Sequence, residues 1–555
     1  MDNYQIADSF SLLSKLTDIH GENSFKAKSY SSAAFAIEKL PLQLTEIPQE
    51  KISGLQGIGV STAQKIIELL QTGKIISLEE LIFKTPSGVI EMLNIKGIGP
   101  KKINTIWKEM EIETIGELLY ACKENRLKLY KGFGEKTQQN VIDTIDFYFK
   151  NKGSHLYAQV ELIANDIYSF IQNVFQENKI TITGAFKRQI EIIDQLEFLI
   201  AATEDEIEKK MMQADGFTLK SKTHYFQYST IAGIDVNIYP VDENDFIEKS
   251  IQFSSSDSFW QELKSIKNTE NRSFFTEDAF FNNLNLPTIP PYLRENPAII
   301  NNFIEKELPE IIQINDIKGI IHSHSNWSDG SNTIEEMAKA AMEIGMDYLV
   351  ISDHSKSAFY AQGLSVEKIM AQHAYIDELN IKYPSFKIFK SIESDILNDG
   401  SLDYTNEILS TFDLVIASVH SNLKMNEEKA MMRLMKAIEN PYTTVLGHMT
   451  GRLLLSRPGY PVDHKKIIDA CAANKVAIEL NAHPSRLDID WRHIEYAVEK
   501  NVLISINPDA HHTSGLIDVK YGVWVAQKAM LNKKQNLSSF SLNDFEKYLL
   551  SASRK

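Results

Sequence analysis

The sequence predicts a multidomain α and α/β chain. Helical N-terminal domains lead into a central α+β domain, and a distorted (β/α)7 barrel forms the C-terminal part. Three observations lead there. Apolar residues recur at three and four through residues 1–150, as in AAFAIEKL and AQKIIELL. Residues 151–300 mix helical stretches with alternating strand patterns such as KITITGAF and GIDVNIYP. From residue 316 onward, short apolar runs alternate with helical stretches. A chain of 555 residues has room for roughly three to five domains. The expected boundaries are 1–78, 79–150, 151–300 and 316–555. The proline-rich LPTIPPYLRENP closes the third domain, and 298–315 serves as a connector.

Composition narrows the function classes. With 43% hydrophobic and 24% charged residues, the chain is a globular one, neither disordered nor fibrous. Two cysteines exclude a disulfide scaffold and Cys-rich zinc fingers. The start MDNYQIADSF lacks a basic segment followed by an apolar one, and no run of about 18 apolar residues occurs. The expectation is a cytoplasmic protein with no membrane contact. The net charge of −16 is unevenly spread: residues 51–152 hold 15 Lys and Arg against 12 Asp and Glu. Eleven of the 14 histidines lie between His322 and His512. A basic N-terminal part and a histidine-rich C-terminal part therefore have separate tasks.

Three glycine turns in the basic part follow one design. They are Leu55-Gln-Gly-Ile-Gly59, Ile95-Lys-Gly-Ile-Gly99 and Tyr130-Lys-Gly-Phe-Gly134, each leading into a helix. Gly57 and Gly59, Gly97 and Gly99, and Gly132 and Gly134 let a phosphate approach the backbone N–H groups of a helix start. Such a contact carries no base identity and weakens with salt. A single Gly-x-Gly is an ordinary turn. Three copies in the one net-basic region point to helix-hairpin-helix units that bind nucleic acid.

LQGIGVSTAQKIIELLQTGKI resembles the lyase domain of DNA polymerase beta and its bacterial family X relatives. GENSFKAKSYSSAAFAIEKLP resembles the helices before that hairpin, and GIGPKKINTIWKEMEIETIGELL the family's second hairpin. The resemblance implies that Lys65 is the Schiff-base lysine of a lyase, and that Lys26 and Tyr30 belong to a 5′-phosphate pocket. A nucleophilic lysine needs a lowered pKa. Ser53 and Ser61 stand where the family more often carries lysines, which weakens the pocket.

The family's palm holds two metals on an Asp-x-Asp pair and a third Asp. Aligning Gly184, Lys187 and Arg188 puts Gln195 and Glu197 at the paired positions and Asp235 at the third. A neutral amide offers no carboxylate. Glu197 is one methylene longer than Asp, a displacement of about an ångström that can cost on the order of 100-fold. Asp194 would need a one-residue slip that points it to the other face. The expectation is a nucleotidyltransferase-like fold with an impaired site. AFFNNLNLPTIPPYLREN resembles the end of the family's thumb.

The last 240 residues carry the densest chemistry. Seven apolar runs each end in metal-competent residues: KGIIHSH, MDYLVISDH, FKIFKSIESD, DLVIASVH, TTVLGH, VAIELN and VLISINPDAH. Helical stretches separate them, as in a βα barrel whose chemistry gathers at the strands' C-terminal ends. A lone strand histidine is more often a core residue. Histidines and acids at equivalent ends of successive strands predict a multinuclear metal site, and the mixed imidazole and carboxylate shell suits zinc, manganese or iron.

HSHSNWSDG, ISDHSKS, IESDILNDGSLDY, ASVHS, GHMTGR, ELNAHPSRLDI and DAHH resemble, in order, the motifs of the PHP phosphoesterase family. The resemblance implies nine ligands: His322, His324, Asp329, His354, Glu393, His420, His448, Asp509 and His511. They fit three divalent ions, manganese or zinc, with magnesium needed only for an active palm. It also implies that Arg452 and Arg486 bind substrate phosphate. His483 and His512 are extra. The whole chain resembles a bacterial family X DNA polymerase fused to a PHP domain. That implies a DNA-repair enzyme acting on gapped, nicked or abasic DNA as a 3′→5′ exonuclease or end-trimming hydrolase, with no protein partner indicated. The alternatives are an active gap-filling polymerase, a non-catalytic DNA-binding repair scaffold and a small-molecule phosphatase.

Overall fold

The computed structural model describes all residues except 2, 39, 41, 96, 151–152, 267–272 and 553–555. Lys39, Pro41 and Lys96 of the sequence motifs, and the expected start of the third domain at 151, lie outside the described residues. The chain divides into two compact units, Met1–Tyr148 and Phe149–Lys555.

The first unit is helical. Its helices are α1 (Asn3–Ile19), α2 (Ser24–Glu38), α3 (Gln49–Ile52), α4 (Val60–Thr72), α5 (Ile76–Lys84), α6 (Ser87–Glu91), α7 (Pro100–Lys108) and α8 (Ile115–Lys123). A ninth helix, α9 (Glu135–Lys150), runs past the unit's edge. Ile6, Phe10, Leu13 and Leu16 of α1 are buried, the i, i+3, i+4 pattern of a helix packed on one side. Thr114 caps α8 through a reciprocal capping box with Glu117.

The three glycine turns share one geometry. Gly57, Gly97 and Gly132 have φ of 85°, 94° and 93°, a left-handed conformation that glycine enters at little cost. In each turn the next apolar residue donates its N–H back three residues: Ile58 to Leu55 (3.1 Å), Ile98 to Ile95 (3.2 Å) and Phe133 to Tyr130 (3.0 Å). Those three side chains are buried and anchor the loops. α4 and α7 start on Gly59 and Gly99 with no capping side chain.

Among its described residues the second unit carries a first short strand, then a helix, Tyr157–Val174, and then thirteen further strands. β1 (His155–Leu156) pairs with β3 (Ile192–Ile193). A five-stranded sheet has the order β2-β4-β7-β6-β5, with β2 (Ile180–Thr183), β4 (Gln195–Ile200), β5 (Phe217–Lys222), β6 (Phe226–Thr230) and β7 (Asp235–Pro240). β4 and β7 run parallel and the other pairs antiparallel. This is the palm-like α+β layer expected from the alternating patterns. The segment read as a connector is partly domain core. Helix Ala298–Phe303 buries Ile299 and Ile300 against Phe259, Phe280 and Phe281, because its apolar pair sits on one face.

Seven parallel strands follow in the order β14-β13-β12-β11-β10-β9-β8. They are β8 (Gly319–Ile320), β9 (Tyr348–Ile351), β10 (Lys387–Asp395), β11 (Leu414–Ser418), β12 (Val445–Leu446), β13 (Ala477–Asn481) and β14 (Ile504–Asn507). The barrel nearly closes: Ser323, beyond β8, bridges Ala510, beyond β14. Four of the intervening helices begin on Thr333, Ser365, Asn426 and Asp463, each accepting the N–H three residues on.

Strand period sets the barrel's interior. Along β10 one face reads Phe389, Ser391, Glu393, Asp395, and along β11 and its extension Ile416, Ser418, His420. The apolar members of this face, with Tyr348, Val350, Val445 and Ala477, pack around Leu537 and Phe545 of the C-terminal segment. The barrel thus has an apolar floor and a polar upper layer.

Candidate metal centre

The polar layer gathers all nine expected ligands. His324, Asp329, His354 and His511 form one group, His322, His324 and Asp509 a second, and His354, Glu393 and His420 a third, with ligand atoms inside each group within 4.8 Å of one another. His448 Nε2 joins through Glu393 Oε1 at 3.0 Å. These side chains are at most about 5% exposed, His420 included.

The spacing fits a shared cation. Two ligand atoms each about 2.1 Å from one ion stand about 3.0–3.4 Å apart in octahedral or tetrahedral geometry. His322 Nε2 lies 3.4 Å from Asp509 Oδ1 and 3.5 Å from Glu393 Oε1. His354 Nε2 and His511 Nε2 lie 3.5 and 3.4 Å from the two oxygens of Asp329. His420 Nε2 is 3.1 Å from Glu393 Oε1. His322 Nε2 and His354 Nε2 are buried and make no hydrogen bond, an expensive state unless a further partner binds them.

Outer carboxylates aim the rings. His322 Nδ1 donates to Glu479 Oε1 at 2.7 Å, which leaves Nε2 for the cluster. Glu479 also accepts from His448 N (2.8 Å), Asn507 Nδ2 (2.8 Å) and Asn481 Nδ2 (3.3 Å). Asp395 accepts the hydrogen bond of His420 Nδ1. Asp353 accepts from Ser325 N, Ser325 Oγ and Gln372 Nε2, and so fixes the loop carrying Asp329. Asp395 and Asp353 were not singled out from the sequence. The signal for Asp395 was its i+2 spacing from Glu393, which puts both on the inward face of β10.

The charges in this layer are matched. Burial alone would lower the His322 pKa, but Asp509, Glu479 and Glu393 outweigh it and hold the ring well above its ordinary value. Burial would raise Glu393, but His420, His322 and His354 keep it well below the carboxylate range. Burial, with His511 and His354 alongside, pushes His324 down to about 3.

The two arginines part ways. Arg486 is buried with Nε 3.8 Å from Asp509 Oδ2, at the cluster's edge. Arg452, expected on the substrate phosphate, instead uses its three nitrogens on the chain. Nε donates to Arg486 O (2.9 Å), Nη1 to Asp490 (2.6 Å) and Nη2 to Leu487 O. Its guanidinium meets two carbonyls and one carboxylate of an irregular loop, partners that no motif spacing reveals. His483 Nδ1 accepts from Ser485 N, and His512 pairs with Ser514.

The palm residues do not form an open carboxylate site. Gln195 and Asp235 are register partners on β4 and β7, as are Glu197 and Asn237. Asp235 is ion-paired with Lys220 at 2.6 Å and accepts from Gln227. Glu197 accepts from Tyr239 Oη at 3.1 Å, and its carboxylate fills the space where a Cβ at Gly184 would stand. Burial raises its pKa, against the hydrogen bond from Tyr239. Asp194 accepts from Ser154 Oγ at 2.7 Å, short of the strand. In the helical unit, half-buried Lys65 donates to Ser77 Oγ at 2.8 Å, Lys26 is exposed, and burial raises the Tyr30 phenol.

Fold and site define a class: a PHP-type barrel joined to helix-hairpin-helix and polymerase-like modules. The helix-hairpin-helix domain family matches residues 1–75, the SAM-like helix-hairpin-helix tandem family residues 89–146, and the PHP domain family residues 321–483. The DNA polymerase/3′-5′ exonuclease PolX of Bacillus subtilis is 32% identical over 557 residues, 96% of either chain. A probable phosphatase of Acetivibrio thermocellus is 29% identical over 170 residues, 29% of this chain and 64% of that protein. One of Thermoanaerobacter sp. is 27% identical over 204 residues, 34% and 77% respectively. The chain belongs to the PolX family. Among the described residues no helix is long and apolar enough to cross a membrane.

Proposed function

We propose that this chain is a cytoplasmic DNA-repair hydrolase that trims 3′ ends at gaps, nicks or abasic sites, with its chemistry in the barrel. The reading is carried by one observation: nine imidazole and carboxylate side chains converge at the strand ends with spacings that suit shared cations. Three divalent ions, manganese or zinc, match the donor number; bound there, they supply an acidified water and positive charge at phosphorus. Glu393 faces His322, His354, His420 and His448 and would help to hold the ions. Glu479 and Asp395 hold His322 and His420 in the ligating tautomer. Arg486, 3.8 Å from Asp509, would meet a phosphate oxygen there. The turns at Gly57 and Gly97 lead into helix starts with no capping side chain, which would be open to DNA phosphates.

The palm is proposed as a DNA-holding layer and not a polymerase. Gln195 is neutral, Asp235 is neutralised by Lys220, and Glu197 is turned under Gly184. Magnesium has no assigned role there. Lys65 is proposed as a lyase residue only at a 5′-deoxyribose phosphate held by Lys26 and Tyr30.

The test uses end-labelled gapped DNA with manganese or zinc, with and without nucleotides. Stepwise shortening from the 3′ end, lost in His322→Ala with His324→Ala, is expected. DNA binding without cleavage would favour a scaffold and overturn the hydrolase reading. Nucleotide incorporation abolished by Asp235→Ala would overturn the palm reading.

A further inference from the structure

A hairpin at the rim of the barrel site combines exposure, backbone strain and rigid anchoring. Residues 451–459 leave the strand end that carries His448, and Gly451 N donates to His448 O at 2.9 Å. Leu453 and Arg457 pair antiparallel, leaving Leu454, Leu455 and Ser456 at the tip. Leu454 N donates to Ser485 O at 2.7 Å, and Arg452 Nε to Arg486 O at 2.9 Å. Arg457 Nε and Nη2 turn inward to Gly451 O at 3.1 and 2.9 Å. The segment that anchors the hairpin therefore also presents Arg486 to Asp509.

Leu455 is 38% exposed and has φ of 59°. Left-handed backbone is unusual for a bulky apolar residue, and such outliers cluster where the surrounding structure holds them for use. The hairpin's concave side forms an open hollow of about 290 Å³, lined by residues 452–459. That is the small end of ligand pockets, about 300–1,000 Å³. The leucines make its wall apolar, while the nitrogens of Arg452 that bond the chain and those of Arg457 that turn to Gly451 point to anchoring and not to phosphate capture.

We infer that this hairpin reads the nucleotide being removed: its hollow takes the nucleobase, and Leu455 packs on the base face while the phosphate reaches the cluster. The inference rests on the DNA-hydrolase reading above and assigns it a base-contacting residue outside the metal ligands.

The experiment uses the full chain loaded with manganese. Cleavage of end-labelled single-stranded DNA and hydrolysis of bis(4-nitrophenyl) phosphate, which has no base, are compared for wild type, Leu455→Asn and Leu455→Phe. Asparagine keeps the left-handed backbone at low cost and removes the apolar contact. The ratio of kcat/KM on DNA to that on the small ester is expected to fall about tenfold in Leu455→Asn, the usual cost of a lost apolar contact in a specificity pocket. It is expected to stay within about threefold of wild type in Leu455→Phe, which keeps an apolar face as large or larger. A ratio unchanged in Leu455→Asn overturns the inference, whether both activities fall together or neither does. A wild-type enzyme that splits the small ester but no DNA overturns the hydrolase reading, and the hairpin's role with it.

Discussion

Glu479→Gln isolates what the outer carboxylate contributes. Glu479 is buried, and its two oxygens take four donors. Oε1 receives His322 Nδ1 and Asn507 Nδ2, and Oε2 receives His448 N and Asn481 Nδ2. A glutamine amide has one oxygen, so one of these pairs must face an NH2 group. Turned towards His448, it opposes N–H to N–H in a buried site, which costs about 1–3 kcal/mol. Turned towards His322, it makes Nδ1 an acceptor and moves the ring proton to Nε2, the atom that faces Asp509 and Glu393. Either outcome weakens metal affinity by about 10–100-fold, which is about 1.4–2.8 kcal/mol. Calorimetric titration of manganese into chelator-stripped protein measures the affinity, and DNA cleavage at rising manganese follows the consequence. The variant should bind more weakly by that factor and recover part of its cleavage at high metal. Affinity within twofold of wild type would refute the claim that Glu479 sets the His322 tautomer.

Gly132→Ala meets no atom within 4 Å but forces alanine to φ 93°, so the turn loses about 1–2 kcal/mol; fluorescence anisotropy on gapped duplex should record weaker binding, and unchanged affinity in this variant and in Gly97→Ala would exclude the turns from the DNA grip. Arg452→Ala removes three hydrogen bonds to the 486–490 segment. A loss of about 2 kcal/mol would lower the barrel's unfolding midpoint by about 4–8 °C, and calorimetry showing no shift would leave Arg452 without its anchoring role. Both cysteines are buried, and burial pushes the Cys122 thiol up to about 12. Neither should react with a disulfide reagent at pH 8 until the protein is denatured, and stoichiometric labelling of the native protein would contradict that burial.

The barrel and its nine-residue cluster were legible because strand period and strand-end chemistry coincide. An apolar run that stops at a histidine or acid marks a β-strand and an inward polar group together, and six of the seven runs supply members of the nine. The glycine turns were legible for a similar reason, since their first glycines need a backbone that few other residues adopt. The anchoring of Arg452 was not legible because Arg486 O, Leu487 O and the Asp490 carboxylate lie on a loop that only tertiary folding brings near. The packing of Ala298–Phe303 was hidden by the prolines before it, which mark a bend without saying what the bend packs against. The Lys220–Asp235 pair joins strands β5 and β7 through a sheet whose order runs against the chain, and no local pattern encodes it.

The bridge between Ser323 and Ala510 joins the first strand's extension to the last, and His322, His324, Asp509 and His511 stand on either side of that seam. Almost two hundred residues separate its two banks in the chain. A ribosome must therefore release residue 511 before the cutting pocket can exist, so a nascent or prematurely terminated chain can expose its DNA-gripping turns without being able to cut what it holds.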